Sequence, residues 1–119
     1  MDFKEMDVWK HSRKLCKNVY LTTKVVSGDI GKDLSRHAMK SSVSVLSNVS
    51  EGLGRQYQKE KIRFLVIARG SLFELESQLI VLTDISKVFK ESCSDLMQDL
   101  EKCKRLINGT IRFLKRSKP

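Results

Sequence analysis

Apolar residues recur along most of the chain at intervals of three and four positions, the spacing that places side chains on one face of an α-helix. The only proline is Pro119, so no proline interrupts the predicted helices. Long helices joined by short connections are typical of antiparallel neighbours. The sequence therefore predicts an all-α fold, an antiparallel up-down-up-down four-helix bundle, as a single domain over residues 1–119. The predicted helices cover residues of about 4–26, 30–51, 57–87 and 92–115.

The third predicted helix is apolar around more of its circumference than a helix with one wet side requires. Residues 64–68 and 79–82 form almost continuous apolar runs within it. We therefore expect this helix to contact neighbours on more than one face, with other subunits among them. Gly70 lies in mid-helix, where glycine costs about 1 kcal/mol relative to alanine. A close approach of another helix is the expected compensation.

Local signals mark the ends of the second and fourth helices. Gly52 and Gly54 are expected to close the second helix, with a glycine in the left-handed C-cap conformation. Glu51 lies in the last turn, where the helix dipole disfavours an anion, so we expect it to pair with Arg55. Residues 92–95, Ser-Cys-Ser-Asp, resemble a capping box and are expected to start the fourth helix.

The chain of 119 residues contains 23 lysine and arginine residues against 14 aspartate and glutamate residues, a formal net charge of +9. Such an excess attracts phosphate or carboxylate groups over long range. Nucleic acid, RNA or DNA, is therefore the first expected partner, an acidic protein the second and an anionic membrane surface the third. The alternative is that the charge only keeps the protein dispersed.

Basic residues concentrate in the first helix, at the start of the third and at the end of the fourth. In an antiparallel bundle the starts of helices one and three lie beside the ends of helices two and four, so part of this set can meet at one end. Phosphate binding there would depend strongly on salt and little on sequence. For any single lysine, a solvated surface position without a ligand is the alternative. The candidate nucleic-acid-binding residues are Lys10, Arg13, Lys14, Lys17, Arg55, Lys59, Arg63, Arg112 and Lys115.

No arrangement of residues in the sequence indicates catalysis. Neither His11 nor His37 has a glutamate three residues before it, which excludes the Glu-x-x-His pairs of dimetal bundles. Neither a G-x-x-x-x-G-K-[ST] loop nor a G-x-G-x-x-G fingerprint occurs. Glu74 and Glu76 lie two positions apart, so they point to different sides of a helix. The sequence therefore predicts no catalytic residue, no metal site, no cofactor and no enzymatic activity.

The three cysteines, Cys16, Cys93 and Cys103, are odd in number and far apart, which argues against a disulfide framework and fits a reducing compartment. Cys16 and Cys103 fall on predicted apolar stripes, where cysteine acts as a small core residue. The charged N-terminus lacks the apolar segment of a secretory signal, and no apolar run has the length of a membrane span. We therefore predict a cytoplasmic protein with no membrane partner.

Three segments of the chain carry motifs of one protein family. Residues 3–9 match an F-x-x-L-x-V-W start, residues 44–55 the later part of an A-x-S-I-x-x-N-I-A-E-G-x-G-R core, and residues 63–76 an R-F-L-x-I-A-x-G-S-L-x-E-L-E helix. The chain thereby resembles the proteins encoded in intervening sequences of bacterial 23S ribosomal RNA genes. More distantly, it resembles the accessory variability protein of diversity-generating retroelements. It departs from the family pattern at Leu46, where many members have proline, and at Ser50, where alanine is usual.

The resemblance implies an up-down four-helix bundle that assembles as a ring-like homopentamer, with no known catalysis. The retroelement relatives are basic and bind nucleic acid and a reverse transcriptase. Because the resemblance implies no catalysis, the residues at the motif positions are expected to have structural roles. They would fix the ends of helices and form tight contacts between helices or subunits. A binding site lined by the same residues is the alternative. These positions are Asn48, Glu51, Gly52, Arg55, Gly70, Ser71, Glu74 and Glu76.

Charge and resemblance together predict a non-enzymatic, oligomeric accessory protein that binds nucleic acid. The alternative is a scaffold or adaptor that binds another protein and has no nucleic-acid role. Steeply salt-dependent binding of RNA or DNA would favour the first prediction. Salt-insensitive binding of one protein through an apolar patch would favour the second.

Overall fold

A computed structural model describes residues 2–117 and contains only helices and their connections over that range. The all-α prediction is confirmed. The four long helices correspond to the four predicted ones, with ends that differ by up to three residues. A 3-10 helix, Phe3–Glu5, precedes five α-helices: α1 Asp7–Thr23, α2 Asp29–Gly54, α3 Gln58–Ile85, α4 Lys87–Ser92 and α5 Ser94–Arg116.

Hydrogen bonds between α1 and α2 show the relative direction of these helices. The Trp9 indole N–H donates to Ser50 Oγ at 2.9 Å. Cys16, further along α1, donates its thiol proton to the carbonyl oxygen of Ser42, which lies earlier in α2, at 3.1 Å. Residue numbers therefore rise along α1 as they fall along α2, and the two helices are antiparallel.

The other neighbouring helices are antiparallel by the same criterion. Their hydrogen-bonded pairs are Ser44–Ser71 and Ser41–Gln78 between α2 and α3, Arg69–Asn108 and Glu76–Lys104 between α3 and α5, and His11–Cys103 and Asn18–Asp99 between α1 and α5. Within the described residues, no Cα pair across either diagonal lies within 8 Å. The long helices thus surround the core in the order α1, α2, α3, α5, which is the predicted up-down-up-down arrangement.

The core is built from a leucine-rich face of α3 packed against small residues of α2. The buried seam of α3 is fully shielded from solvent and consists of Leu65, Ala68, Leu72, Leu75, Leu79 and Leu82. Opposite it, α2 buries Ala38, Val45, Val49 and Gly52. Small side chains let two helix backbones approach each other closely. The leucine seam of α3 therefore packs against a stripe of small residues on α2.

The end of α2 differs from the prediction. The helix continues through Gly52 and Gly54, and Arg55 follows it in an extended conformation. Among the described residues, Gly28 alone has a positive φ, 84°, and it precedes α2. The predicted left-handed glycine cap at the end of α2 is therefore wrong. Gly52 instead lies at a tight helix contact, since a Cβ there would lie 3.1 Å from both the Lys61 carbonyl oxygen and Phe64 Cβ.

The segment between the third and fourth predicted helices contains a short helix that the sequence pattern did not predict. Ser86 Oγ accepts a hydrogen bond from the Phe89 backbone N–H at 3.1 Å and caps the six-residue α4. Phe89 is fully buried and anchors α4 in the core. The predicted capping box at residues 92–95 is wrong, because Cys93 precedes α5 and no side chain caps that helix.

The outward face of α3 remains uncovered within one chain. Gly70 is exposed, and a Cβ built there would meet no atom within 4 Å. The close helix approach expected at Gly70 is therefore absent from the described chain. The apolar character that the sequence showed around α3 lies instead at the surface. Its exposed apolar residues are Val66, Ile67, Phe73, Ile80, Val81 and Ile85.

Candidate nucleic-acid interface

One end of the bundle collects most of the predicted basic residues. The Trp9–Ser50 hydrogen bond joins the start of α1 to the end of α2, and Gln58 Nε2 donates to the Leu114 carbonyl oxygen at 3.3 Å, joining the start of α3 to the end of α5. Arg13, Lys14 and Lys17 follow further along α1. We call the terminal group the basic end, and its residues are Lys10, Arg55, Lys59, Arg63, Arg112 and Lys115.

Two of the nine predicted residues are already paired with acidic side chains. The Arg55 guanidinium lies 3.1 Å from Glu51, as predicted, and 3.6 Å from Glu60. Lys14 Nζ lies 3.7 Å from a carboxylate oxygen of Asp99. The remaining seven are exposed and form no ion pair with another described residue. Their positive charges are therefore available to an external anion.

Three of the predicted arginines lie over aromatic rings. The guanidinium carbon of Arg13 lies 5.7 Å from the centroid of the Trp9 ring. Those of Arg55 and Arg63 lie 4.7 Å and 5.3 Å from the centroid of Phe64. Cation–π contacts of this kind favour a defined side-chain position at a modest gain in energy. The cations are thus partly ordered before any ligand arrives.

An open depression of about 790 Å³ lies beside the basic end, between the start of the chain and the last turns of α2. Trp9 is half-buried in its wall, with Phe3 at 5.6 Å in an edge-to-face arrangement. Residues of the first and second sequence motifs therefore meet here. The full lining is Phe3, Trp9, Leu46, Ser47, Ser50, Glu51, Gly54 and Arg55.

The polar motif residues of α2 and α3 contact one another along the helix pair. Asn48 Nδ2 donates to the Ser44 carbonyl oxygen at 2.8 Å, and the hydroxyls of Ser44 and Ser71 lie 2.8 Å apart. Ser41 donates to Glu74 at 3.1 Å. The Ser44–Ser71 and Ser41–Glu74 bonds join the two helices, whereas the Asn48 bond lies within α2.

Glu76 belongs to a second polar cluster, between α3 and α5. Lys104 Nζ donates to Glu76 at 2.7 Å and to Glu101 at 2.9 Å. Burial alone would lower the pKa of Lys104, but the hydrogen bonds and charges of the two glutamates outweigh it and raise that pKa. Lys104 therefore remains charged and neutralises the two carboxylates.

The cysteines behave as core residues. All three are free and buried, and Cys103 donates its thiol proton to the His11 carbonyl oxygen at 3.3 Å. Burial raises the pKa of Cys103 to about 12, and burial also raises the pKa of Cys16. Both thiols therefore stay protonated and unreactive near neutral pH.

Over residues 2–117, no group of three or more histidine, cysteine, aspartate or glutamate side chains is arranged to hold a metal ion. None of the helices in that range combines the length and apolarity that crossing a membrane requires.

Several contacts at this site were not predicted from the sequence. Ser50 accepts the Trp9 indole proton from 41 positions away, and Asp99 pairs with Lys14 from the far end of the chain. Neither has a local sequence signal, because the partners meet only through the fold. Phe3 was visible as a motif residue, yet its place in the depression was not.

A search of curated proteins gives no significant match. The profile described as 23S rRNA-intervening sequence protein matches residues 4–109, which includes α1 to α4 and most of α5. The match spans well over half of the chain and agrees with the resemblance carried by the three motifs. The chain therefore belongs to the 23S rRNA-intervening sequence protein family.

Proposed function

We propose that this protein is a non-enzymatic, oligomeric accessory protein of the cytoplasm that binds RNA or DNA through its basic end and the adjoining face of α1. The observation that carries the proposal is the set of exposed basic side chains that have no acidic partner among the described residues. These are Lys10, Arg13, Lys17, Lys59, Arg63, Arg112 and Lys115.

The distribution of charge along α5 supports this assignment. Its acidic residues, Asp95, Asp99 and Glu101, all precede Lys102, and no acidic residue follows in the sequence. The half of α5 that leads to the basic end is therefore positive throughout. Such a surface attracts the phosphate backbone without reading bases, so binding should weaken steeply as salt rises.

Assembly into a homo-oligomer is part of the proposal, and the pentamer rests on the family resemblance. Val66, Phe73 and Ile80 are spaced seven residues apart on α3 and are 39%, 49% and 49% exposed. A row of this kind is suited to packing against a second helix. A closed ring would present every basic end at an equivalent position, so several weak phosphate contacts would act together on one strand.

Nucleic-acid binding is tested with two triple variants that remove the same charge from opposite ends. The first is Lys10→Gln with Lys17→Gln and Arg112→Gln, and the control is Lys32→Gln with Lys87→Gln and Lys90→Gln. We expect the first to weaken binding of a labelled RNA at least tenfold. It should also reduce the slope of log Kd against log salt by about 3, if each side chain contacts one phosphate.

The control variant should retain most of the wild-type affinity. Equal losses in both variants would show that net charge alone acts and that the basic end is not the site. If the wild-type protein binds neither RNA nor DNA at low salt, the nucleic-acid proposal is wrong.

A protein-binding scaffold is the second candidate function. The bundle end opposite the basic end exposes Val25, Ile30, Ile85 and Val88, with Ile30 78% exposed. An apolar cluster at an end without the basic excess suits a protein partner better than a phosphate backbone. This function becomes the favoured one if nucleic acid fails to bind at low salt.

A further inference from the structure

The depression beside the basic end is lined by two partly exposed aromatic side chains. Phe3 and Trp9 contact each other at 5.6 Å with an interplanar angle of 72°, and both line the depression. The α2 positions below them are small, Ser47 and Gly54, and a Cβ on Gly54 would meet no atom within 4 Å. A flat ring therefore has room to lie against the aromatic side chains.

The lining of the depression also includes a pair of charged residues that offers both kinds of hydrogen-bonding group. Glu51 and Arg55 form this pair, 3.1 Å apart, with side chains 57% and 41% exposed. An ionised carboxylate only accepts hydrogen bonds, and a guanidinium only donates them. The edge of a nucleobase presents donors and acceptors side by side, which is the complement of this pair. An alkyl chain would use the aromatic side chains but not the ion pair.

Positive charge borders the two aromatic side chains. Lys10 adjoins Trp9 in the sequence, and Arg13 lies over the Trp9 ring one turn along α1. Both are exposed and form no ion pair with another described residue. A base in the depression would therefore have cations near the phosphates that flank it.

We propose that this depression binds one unpaired nucleobase of single-stranded RNA or DNA. The base stacks on one of the two aromatic rings and meets the other edge to face, because the rings are inclined at 72°. Its polar edge meets Glu51 and Arg55, and its flanking phosphates meet Lys10 and Arg13. The inference rests on the proposed nucleic-acid function and adds a base-dependent contact to it. A duplex keeps its bases paired and stacked inside, so it would gain nothing from this site.

Trp9 is the only tryptophan, so its fluorescence reports on this site alone. The protein is titrated with a single strand, with a strand of equal length that lacks bases, and with a duplex. We expect the base-containing strand to quench Trp9 and to bind about tenfold more tightly than the abasic strand, the usual effect of stacking one base on an aromatic side chain. The titrations use DNA and RNA of one sequence, and the strand that quenches identifies the source of the base.

Failure of this inference can be distinguished from failure of the proposed function. Equal affinity and equal quenching with the abasic strand would overturn the base site and leave phosphate binding intact. Absence of binding by every strand at low salt would overturn both.

A filling substitution tests the position of the site. Ser47→Phe places a ring in the depression at an exposed position of α2, and Gln98→Phe places the same ring on an exposed position of α5. We expect S47F to lower the affinity for the base-containing strand to that of the abasic strand, with abasic binding unchanged. Q98F should match the wild type. Base preference that persists in S47F, or disappears equally in Q98F, would overturn the proposal.

Discussion

Ser50 and Gly52 lie in the same turn of α2, and each is explained by contact with a different helix. Ser50 accepts the indole proton of Trp9 from α1, whereas Gly52 leaves the space that the backbone of α3 occupies. A single turn thus sets the spacing of three helices.

The Gly52→Ala variant tests the close contact between α2 and α3. Overpacking of this kind costs about 1 to 3 kcal/mol, and alanine returns about 1 kcal/mol through its helix propensity. The added methyl group would face a carbonyl oxygen and a Cβ, both held by the α3 backbone. We therefore expect a net loss of about 1 kcal/mol, measured by urea unfolding.

The matched control is Gly54→Ala, two positions later, where the added methyl group enters open space. It should leave stability unchanged or slightly raised. An equal loss in both variants would show that the packing at Gly52 does not limit the approach of α3.

At the scale of elements, α4 shows how a short helix can depend on one cap and one anchor. Six residues are too few for a helix to be stable alone. The Ser86 hydroxyl oxygen accepts a hydrogen bond from the Phe89 backbone N–H, and the fully buried Phe89 ring packs in the core. The chain turn between α3 and α5 therefore depends on this cap.

The Ser86→Ala variant removes that cap and should cost about 1 kcal/mol. Ser94→Ala is the control, since Ser94 begins α5 without forming a side-chain cap hydrogen bond. Thermal unfolding measures the loss of stability in each variant. A loss for S94A as large as that for S86A would contradict a specific role of the Ser86 cap.

At the scale of the molecule, polarity and charge vary along an elongated bundle that measures 50 × 21 × 20 Å. One end is basic, the other exposes aliphatic residues, and the outward face of α3 carries an apolar row along its length. An exposed row of this length is unusual unless a partner covers it. The proposed contacts with nucleic acid and with other subunits therefore lie on separate surfaces of the bundle.

The double variant Val66→Glu with Ile80→Glu tests assembly through α3. Both residues are partly exposed, so the fold should survive while subunit contacts are lost. We expect the wild type to sediment as a pentamer and the double variant as a monomer, with unchanged helical content. Ile30→Glu, a change of the same kind at the opposite end, should remain assembled. A monomeric wild type, or a double variant of unchanged mass, would contradict the assembly proposal.

The parts of the structure that could be predicted depend on neighbours in the sequence. The leucine seam of α3 follows from helical periodicity, and the Glu51–Arg55 pair follows from a spacing of four residues. The Lys14–Asp99 pair and the Trp9–Ser50 bond could not be predicted, because their partners are far apart in the chain. The role of Gly52 was misassigned for the same reason, since its tight contact is with α3.

The sequence by itself determined the four long helices, their antiparallel order, the buried face of α3 and the family. Each of these depends on periodicity, short connections or motif spacing, which are properties of a linear chain. Only the tertiary structure decided which cations remain unpaired, that Gly52 lies at a tight helix contact and where Phe3, Trp9 and the Glu51–Arg55 pair line a depression. The physical reason is that ion pairing, packing and cavity shape depend on distances between residues that only folding brings together.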